Sequence, residues 1–181
     1  AKGNYVVKNK TTKAIDSIHV QYFSAVDIKK MDFDRPAKRI VDDKKLGYMI
    51  FKTEKPLQPG DSMLLNFEMH SAPDGFEEST GGTQVVYNGT FFNSSMMPTI
   101  GYSEDGELSD NDTRKKYNLP EKKRSASVYD TTSYYTNPLS ADADWIRFEA
   151  TVSTSDDQIA IAPGYLQKDW KEKGRHYFQY K

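Results

Sequence analysis

Residues 57–70 read LQPGDSMLLNFEMH, and this stretch decides the fold class. Pro59 presets φ for the first central position of a type II turn, and Gly60 supplies the positive φ that the second position needs. After the turn, apolar and polar residues alternate, which is the pattern of a strand with one buried face. The apolar members of this alternation are Met63, Leu65, Phe67 and Met69. The stretch therefore predicts a tight turn that leads into a half-buried strand.

The same alternation recurs in two other segments. In residues 18–22 it predicts a buried face made by Ile18, Val20 and Tyr22, with His19 on the opposite face. A third strand is predicted over residues 146–152, and its buried face would be made by Ile146, Phe148, Ala150 and Val152. Shorter strand candidates lie at residues 5–8, 48–52, 84–87, 158–162 and 175–180.

Two local signals complete the pattern of elements. Asn88-Gly89 separates two apolar runs and favours the type I′ turn of a β-hairpin. A helix is predicted from about Ser109 to Tyr117, because Ser109 or Asp110 can cap it and its charges follow the helix dipole. Asn118 and Pro120 are typical of residues that end a helix.

Length and composition set the fold class. A chain of 181 residues is long enough for one substantial core, and its 12 Tyr, 9 Phe and 2 Trp favour strands. We expect an all-β fold, an antiparallel β-sandwich with one short helix, in a single domain over residues 1–181. Residues at about 120–143 follow no sustained period, which predicts an irregular excursion from this domain.

Charge and cysteine content exclude several classes of function. Acidic and basic residues nearly cancel and leave a formal net charge of -1, so no overall field favours nucleic acid or an anionic membrane surface. The chain contains no cysteine, which excludes disulfides, thiolate catalysis and cysteine-based zinc sites. We therefore expect partners to be recognised locally, without nucleic acid among them.

The search for catalytic and metal-binding motifs predicts neither. His19, His70 and His176 stand far apart in the sequence, and no His-Glu-x-x-His motif is present. The acidic residues of 104–112 do not follow the spacing of an EF-hand loop. No glycine-rich phosphate loop or nucleophile elbow occurs. The sequence predicts no catalytic residue, no metal ligand and no cofactor, and hence a chain that is not itself an enzyme.

One region is denser in aromatic and turn residues than a plain hairpin requires. It consists of residues 88–92, which read NGTFF, and residues 98–102, which read PTIGY. A hairpin that belongs to the core is one interpretation, since aromatic residues are common in strands. The other interpretation is a face for a second domain or a ligand. The candidate residues of this interdomain or cleft face are Asn88, Phe91, Phe92 and Tyr102.

Several motifs together resemble a known family. They are Leu57-x-Pro59-Gly60, Asn88-Gly89-Thr90-Phe91-Phe92, Pro98-x-Ile100-Gly101-Tyr102, Glu107-Leu108 with Arg114, Asp157-Gln158-x-Ala160-x-Ala162-Pro163-Gly164, and Trp170 with Gly174-Arg175-x-Tyr177-Phe178-x-Tyr180. This set, which spans nearly the whole chain, resembles the N-terminal β-domain of zinc aminopeptidases of the aminopeptidase N family. The resemblance is closer to the bacterial branch in which the module follows an ABC-transporter-type permease region.

The resemblance implies a saddle-like β-sandwich that packs on a catalytic domain and shapes its substrate cleft. It implies a membrane-tethered, extracytoplasmic parent protein, periplasmic or on the outer face of the inner membrane. The catalytic domain of the same polypeptide is the expected partner, and zinc is expected in that domain. Contact of this chain with peptide substrate is expected to be indirect. The membrane is expected to be contacted only through other parts of the parent protein. The Gly-x-Met-Glu-Asn signature and the Phe-Pro-Cys-Phe-Asp-x-Pro segment of the family do not occur here.

A second hypothesis comes from another class of function. The chain would then be an autonomous β-sandwich module that binds glycan or peptide. The two hypotheses predict different surfaces, because an accessory domain presents an apolar face to a neighbouring domain. A binding module instead holds a preformed groove lined by aromatic and convergent polar groups.

Overall fold

The computed structural model describes residues 1–72, 85–86, 89–91, 93–103, 107–122, 126–135 and 146–181. The chain divides into two compact units, Ala1–Asp142 and Ala143–Lys181. The single domain over residues 1–181 stays a prediction. Within the predicted excursion at 120–143, the described residues include a 3-10 helix at Thr131–Tyr135.

The first unit is built almost entirely of strands. Its strands are β1 (Lys2–Lys8), β2 (Ile15–Gln21), β3 (Asp27–Phe33), β4 (Ala37–Asp43), β5 (Tyr48–Leu57), β6 (Ser62–His70), β7 (Val85–Val86), β8 (Gly89–Thr90) and β9 (Thr99–Ile100). A 3-10 helix follows β8 at Ser94–Met96, and the α-helix α1 covers Asn111–Lys116. All the strand pairs are antiparallel.

Two sheets face each other across one core. The first has the strand order β1-β6-β3 and the second the order β4-β5-β2-β9. The buried cluster takes side chains from both sheets, and its most deeply buried members include Leu65 of β6 and Val20 of β2, each 0% exposed. The structure therefore confirms the predicted all-β, antiparallel sandwich class.

The turn and strand of residues 57–70 form as the sequence predicts. The amide of Asp61 donates to the carbonyl oxygen of Gln58 over 3.0 Å, and Gly60 has a φ of 86°, the arrangement of a type II turn. Along β6, alternate side chains are buried and point into the core. These buried residues are Met63, Leu65, Phe67 and Met69. The prediction for β2 is also confirmed, since Ile18 and Val20 are buried while His19 lies on the other face.

β3 and β4 are two strands that the sequence analysis did not predict. Each contains an irregularity in its pairing, at Lys29 in β3 and at Ile40 in β4. An extra residue in a strand shifts all later side chains to the opposite face, so the period of two is broken. The apolar residues of β3 consequently fall at Ile28, Met31 and Phe33, which is not an alternation.

The second unit is a three-stranded antiparallel sheet of β10 (Ala150–Ser155), β11 (Leu166–Glu172) and β12 (Arg175–Tyr180), in the order β10-β12-β11. The predicted strand over residues 146–152 is wrong in its first half. Ala150 pairs with Tyr180, so residues 146–149 lie beyond the paired stretch, and Ile146 is 75% exposed. Alternation alone does not supply a partner strand.

Two further strand predictions are corrected. Residues 158–162 form no strand. Side chains contact this segment instead: Thr154 donates to the Gln158 side chain, and the Tyr180 hydroxyl donates to the carbonyl oxygen of Ala160. In the β7–β8 hairpin, Val86 pairs with Gly89. In the predicted type I′ turn, Gly89 would lie at the centre of the turn and would not be paired. The register of the hairpin therefore differs from the prediction. Nothing in the described residues explains this difference.

Candidate functional site

The structure places two of the four predicted face residues. Phe91 follows β8 and is 73% exposed, and Tyr102 lies two residues after β9 and is 50% exposed. Asn88 and Phe92 lie outside the described residues. Because β9 is an edge strand that pairs with β2, Tyr102 leaves the sheet next to the outward-facing residues of β2.

Tyr102 belongs to a group of aromatic rings on the outer face of the four-stranded sheet. Its ring meets His19 edge-on, with the centroids 6.3 Å apart at 81°. His19 in turn contacts Tyr48 of β5, with the centroids 5.7 Å apart, and its Nδ1 atom shares a hydrogen bond with the Tyr48 hydroxyl. Burial raises the pKa of Tyr48 above its ordinary value. His19 is thus held in place by two tyrosines.

Glu107 connects Tyr102 to the helix region. The hydroxyl of Tyr102 donates to Oε1 of Glu107, while Oε2 of Glu107 lies 3.3 Å from Nη1 of Arg114 and 4.0 Å from Nζ of Lys122. The Tyr102 hydrogen bond is the main reason that the pKa of Glu107 lies below its ordinary value, and Arg114 and Lys122 lower it further. The carboxylate is therefore ionised and neutralised by its neighbours.

Arg114 fixes the segment that carries Glu107. It is 8% exposed, its Nε donates to the carbonyl oxygen of Pro120 over 2.7 Å, and its Nη1 donates to the carbonyl oxygen of Leu108 over 2.8 Å. One buried guanidinium thus joins the residues before and after α1. The Glu107 and Arg114 of the resemblance motif are brought together by these contacts.

The helix itself agrees with the prediction, with shorter bounds. Oδ1 of Asp110 accepts from the amide of Thr113 over 2.8 Å, so Asp110 is the N-cap. These hydrogen bonds from Thr113 lower the pKa of Asp110. The main-chain amide of Asn118, which has a φ of 56°, donates to the carbonyl oxygen of Lys115 after the last turn. α1 is therefore a short helix with a hydrogen-bonded cap at its start and a hydrogen-bonded turn at its end.

We name the group of His19, Tyr48, Tyr102, Glu107 and Arg114 the outer-face cluster. It offers hydroxyl groups, an imidazole and a neutralised carboxylate, which suit the positioning of a segment or the recognition of a polar group. In the part of the chain that the structure describes, no three His, Cys, Asp or Glu side chains group closely enough to hold a metal ion.

A cleft that the sequence analysis did not predict lies between β3 and β4. It has a volume of about 510 Å³, and Phe33 and Phe51 line it as an edge-on pair 5.2 Å apart. Arg35 and Arg39 line it as well. A second cleft of about 320 Å³ shares Arg39 with the first. The cleft could have been predicted from the sequence only if β3 and β4 had been predicted, and their bulges hide the alternation that marks a strand.

Arg39 lines both clefts and contacts one residue of β4 and one of β5. Its Nη1 lies 3.2 Å from Oδ2 of Asp42 and 3.9 Å from Sδ of Met49. Burial, together with Asp42, raises the pKa of Tyr22 in the second cleft, which Arg39 partly offsets. The first cleft is therefore lined by the aromatic pair Phe33 and Phe51 and by the guanidinium of Arg39, which is paired with Asp42.

In the second unit, side chains stack along one face of the sheet. Trp170 of β11 stacks on Tyr177 of β12 with centroids 5.1 Å apart and planes 9° apart, and Nζ of Lys168 lies 5.1 Å from the Trp170 ring. On the other face, His176 bonds to Asp169 over 3.0 Å. These contacts account for Trp170 and Tyr177 of the resemblance motif as partners within the sheet.

No protein-family model, no curated protein and no solved structure matches the chain. Among the helices of the described ranges, none is both long and apolar enough to span a bilayer.

Proposed function

We propose that this chain is the non-catalytic N-terminal accessory domain of a membrane-tethered, extracytoplasmic polypeptide that resembles a zinc aminopeptidase. In this role it packs on the catalytic domain, which holds the zinc, and helps to shape the cleft for peptide substrate. The proposal rests on the motif resemblance and on one observation of the structure, the amount of apolar surface that the chain leaves open.

Among the described residues, twenty large apolar side chains are exposed, whereas fourteen form the buried core. Burying one such side chain contributes roughly 1.5–3 kcal/mol, so those members of the set that a neighbouring domain covers would stabilise the packing of the two domains. In the first unit the most exposed aromatic residues are Phe91, Tyr117, Tyr129 and Tyr134. In the second unit Ile159 is 77% exposed and Ile161 is 85% exposed.

The outer-face cluster fits the same role. Its carboxylate accepts a hydrogen bond from Tyr102 and lies close to the positive charges of Arg114 and Lys122, and its histidine contacts two tyrosines. Such an arrangement holds the segment around Glu107 in place. A surface of this kind can support a neighbouring domain without taking part in its chemistry.

The first test is the coding frame around this segment. We expect the frame to encode hydrophobic spans before this segment and a His-Glu-x-x-His motif within a few hundred codons after it. A frame that continues without that motif overturns the proposal. Where the motif is present, the full ectodomain is expected to hydrolyse aminoacyl anilides in a reaction that a zinc chelator abolishes, and the isolated chain is expected to hydrolyse none.

A second test asks whether the exposed residues are covered in the full polypeptide. The double change Ile159→Ser with Ile161→Ser removes side chains that are open to solvent in the isolated chain, so its stability stays within about 0.5 kcal/mol of the parent. In the full ectodomain, the same change is expected to lower stability by about 2–4 kcal/mol, since covered isoleucines are lost. Leu46→Ser, which is 73% exposed in the turn before β5, serves as the matched control. Equal stability of both ectodomains contradicts the proposed packing.

The alternative, an autonomous module for glycan or peptide, is favoured by the cleft between β3 and β4. That cleft combines the Phe33–Phe51 pair with Arg35 and Arg39, the mixture of aromatic and polar groups that ligand sites use. Screening the isolated chain against glycan and peptide libraries tests it. Binding that is lost in Arg39→Ala and kept in Arg147→Ala supports the alternative, and absence of any ligand in both libraries removes it.

A further inference from the structure

β11 is an edge strand of the second unit and carries charges of both signs. In the described ranges, it pairs with β12 on one side only. An edge strand presents amide and carbonyl groups with which another strand can pair. Every residue of β11 except Trp170 is exposed, so this edge lies at the surface of its unit.

The regular part of β11 runs from Lys168 to Glu172. The irregularity in its pairing lies at Gln167, near the start of the strand, whereas those of β3 and β4 lie at Lys29 and Ile40, inside the strands. A bulge disrupts a ladder locally. β11 therefore keeps a run of five residues, 168–172, with which a further strand can pair in register.

The turn after β11 determines which main-chain groups point to the open edge. The two residues after Glu172 have φ of 50° and 73°, as in a type I′ turn. Such a turn is closed by a hydrogen bond between its first and fourth residues, here Glu172 and Arg175. Because hydrogen-bonded and non-hydrogen-bonded pairs alternate along antiparallel strands, the amide and carbonyl groups of Asp169 and Lys171 point away from β12.

We propose that β11 pairs antiparallel with β11 of a second copy of this chain, about a twofold axis at Trp170. The three-stranded sheets of the two copies then join into one sheet. In this register Asp169 of each copy lies opposite Lys171 of the other, and the two residues exchange main-chain hydrogen bonds. Lys168 of each copy lies opposite Glu172 of the other. Trp170 lies opposite its own counterpart, at a non-hydrogen-bonded pair, where side chains are closest.

The charges of β11 favour a second copy as the occupant. Residues 168–172 read KDWKE, and the same residues in reverse order read EKWDK. Each charged residue of the run therefore meets a residue of opposite charge, and all of them lie within the regular part of the strand. Opposite charges across strands stabilise a pair, whereas like charges directly opposite destabilise it. The chain thus supplies the charge pattern that complements its own edge.

Contacts within each chain leave these charges room for a further partner. Oδ2 of Asp169 lies 3.0 Å from Nε2 of His176, and Nζ of Lys171 lies 3.0 Å from Oδ1 of Asp156. The side chains of Asp169 and Lys171 are nevertheless 56% and 57% exposed. Glu172 contacts the lysine that follows it and is 54% exposed. A carboxylate has about four acceptor positions and an ammonium has three donors, so each group can also bind a partner in the second copy.

An aromatic row of the sheet also continues across the axis. Trp170 stacks on Tyr177 of β12, with the ring centroids 5.1 Å apart. In the dimer the two Trp170 side chains become neighbours, and the row then extends from Tyr177 of one copy to Tyr177 of the other. Aromatic pairs across strands add side-chain contacts to the main-chain hydrogen bonds.

Sedimentation equilibrium of the full chain at up to about 500 µM, a range that suits a small interface, measures the association. We expect the mass of two chains at the highest concentration. Lys171→Glu opposes carboxylates on both sides of the axis, and Asp169→Lys opposes ammonium groups. Each change is expected to raise the dissociation constant at least about tenfold. A monomeric parent chain, or a charge-reversed variant that dimerises as well as the parent, overturns the proposal.

Asp157→Lys is the control, because it makes the same change of net charge as Asp169→Lys at an exposed residue outside the strand. It is expected to leave the dissociation constant unchanged. An equal loss of association in this variant would show that net charge, and not the register at Trp170, determines the association.

A mixing experiment separates the proposed register from misfolding. Mixed in equal amounts, the Lys171→Glu and Asp169→Lys chains are expected to form a one-to-one heterodimer, because each ammonium then faces a carboxylate. Lys168→Glu and Glu172→Lys form a second pair of this kind and are expected to behave in the same way. Circular dichroism spectra that match the parent show that the variants are folded. Folded variants that stay monomeric in both mixtures contradict self-pairing in this register.

Discussion

The side-chain amide of Asn9 donates to the main-chain carbonyl oxygen of Leu57 over 2.8 Å. The same Nδ2 group also donates to the carbonyl oxygen of Lys13 over 2.8 Å, and Oδ1 accepts from the amide and the hydroxyl of Thr11. Asn9 is 2% exposed. It thereby joins the end of β1 to the start of the Pro-Gly turn that leads into β6.

Asn9→Ala is therefore expected to lower the free energy of unfolding by about 2–3 kcal/mol, because buried carbonyl groups lose their donors. Asn9→Asp keeps the acceptor and removes both amide donors, and we expect a loss at least as large. Urea denaturation monitored by circular dichroism measures both. Asn4→Ala, at an exposed position of β1, is the control and is expected to change stability by less than about 0.5 kcal/mol. Equal effects at positions 4 and 9 would show that the hydrogen bonds of Asn9 do not stabilise the fold.

A pair of neighbouring leucines tests the sandwich core. Leu65 is 0% exposed, whereas Leu64 is 36% exposed on the opposite face of β6. Leu65→Ala is expected to cost about 2–5 kcal/mol, since it loses buried methyl groups and leaves a cavity. For Leu64→Ala the expected cost is below about 1 kcal/mol. Similar losses from the two changes in thermal denaturation would contradict the assigned faces of this strand.

β6 and residues 17–21 of β2 could be predicted from sequence because each stretch has one buried face and keeps its own residues in phase. The alternation of Leu65 and Phe67 with polar residues is then visible without any knowledge of partners. β3 could not be predicted in this way, because the irregularity at Lys29 shifts its apolar residues out of phase. Residues 146–149 show the reverse case, since alternation is present and the partner strand is not.

The candidate site was predictable only in part, for a related reason. Tyr102 could be singled out from the density of aromatic residues around it. Its contacts with His19 and Glu107 depend on which strand β9 pairs with, and two residues carry too little pattern to determine that. The resemblance motif grouped Glu107 with Arg114, which the fold brings within 3.3 Å. The cleft at Arg39 was missed together with the strands that form it.

Two glycines with positive φ differ in the space around them. Gly47 has a φ of +64°, and a Cβ atom there would lie 2.0 Å from the carbonyl oxygen of Tyr22. Gly60 has a φ of +86°, with no atom within 4 Å of a Cβ. Gly60→Ala is expected to cost about 1–2 kcal/mol through the backbone alone. For Gly47→Ala we expect a cost of at least about 3 kcal/mol, since backbone strain and a clash combine. Parallel urea titrations compare them, and a smaller effect at Gly47 would contradict the close approach of the β4–β5 turn to Tyr22.

The bond from Tyr102 to Glu107 predicts a specific dependence of stability on pH. The folded chain holds the pKa of Glu107 below its ordinary value, chiefly through the Tyr102 hydroxyl. A carboxyl group with a lowered pKa contributes stability above its unfolded pKa, about pH 4.3, and this contribution is lost as pH falls through the folded pKa. Tyr102→Phe removes the main cause of the shift.

Tyr102→Phe is therefore expected to be less stable than the parent chain at pH 7, and the difference in melting temperature is expected to shrink as the pH falls below about 4. Tyr129 is 89% exposed, and Tyr129→Phe is the control. Its melting temperature is expected to equal that of the parent chain at every pH. Melting curves of the three proteins from pH 7 down to the acid range supply the comparison. If the difference in melting temperature between Tyr102→Phe and the parent stays constant across this range, the prediction is contradicted. The charge of Glu107 would then not contribute to stability through Tyr102, because only a group that gains or loses a proton makes stability depend on pH.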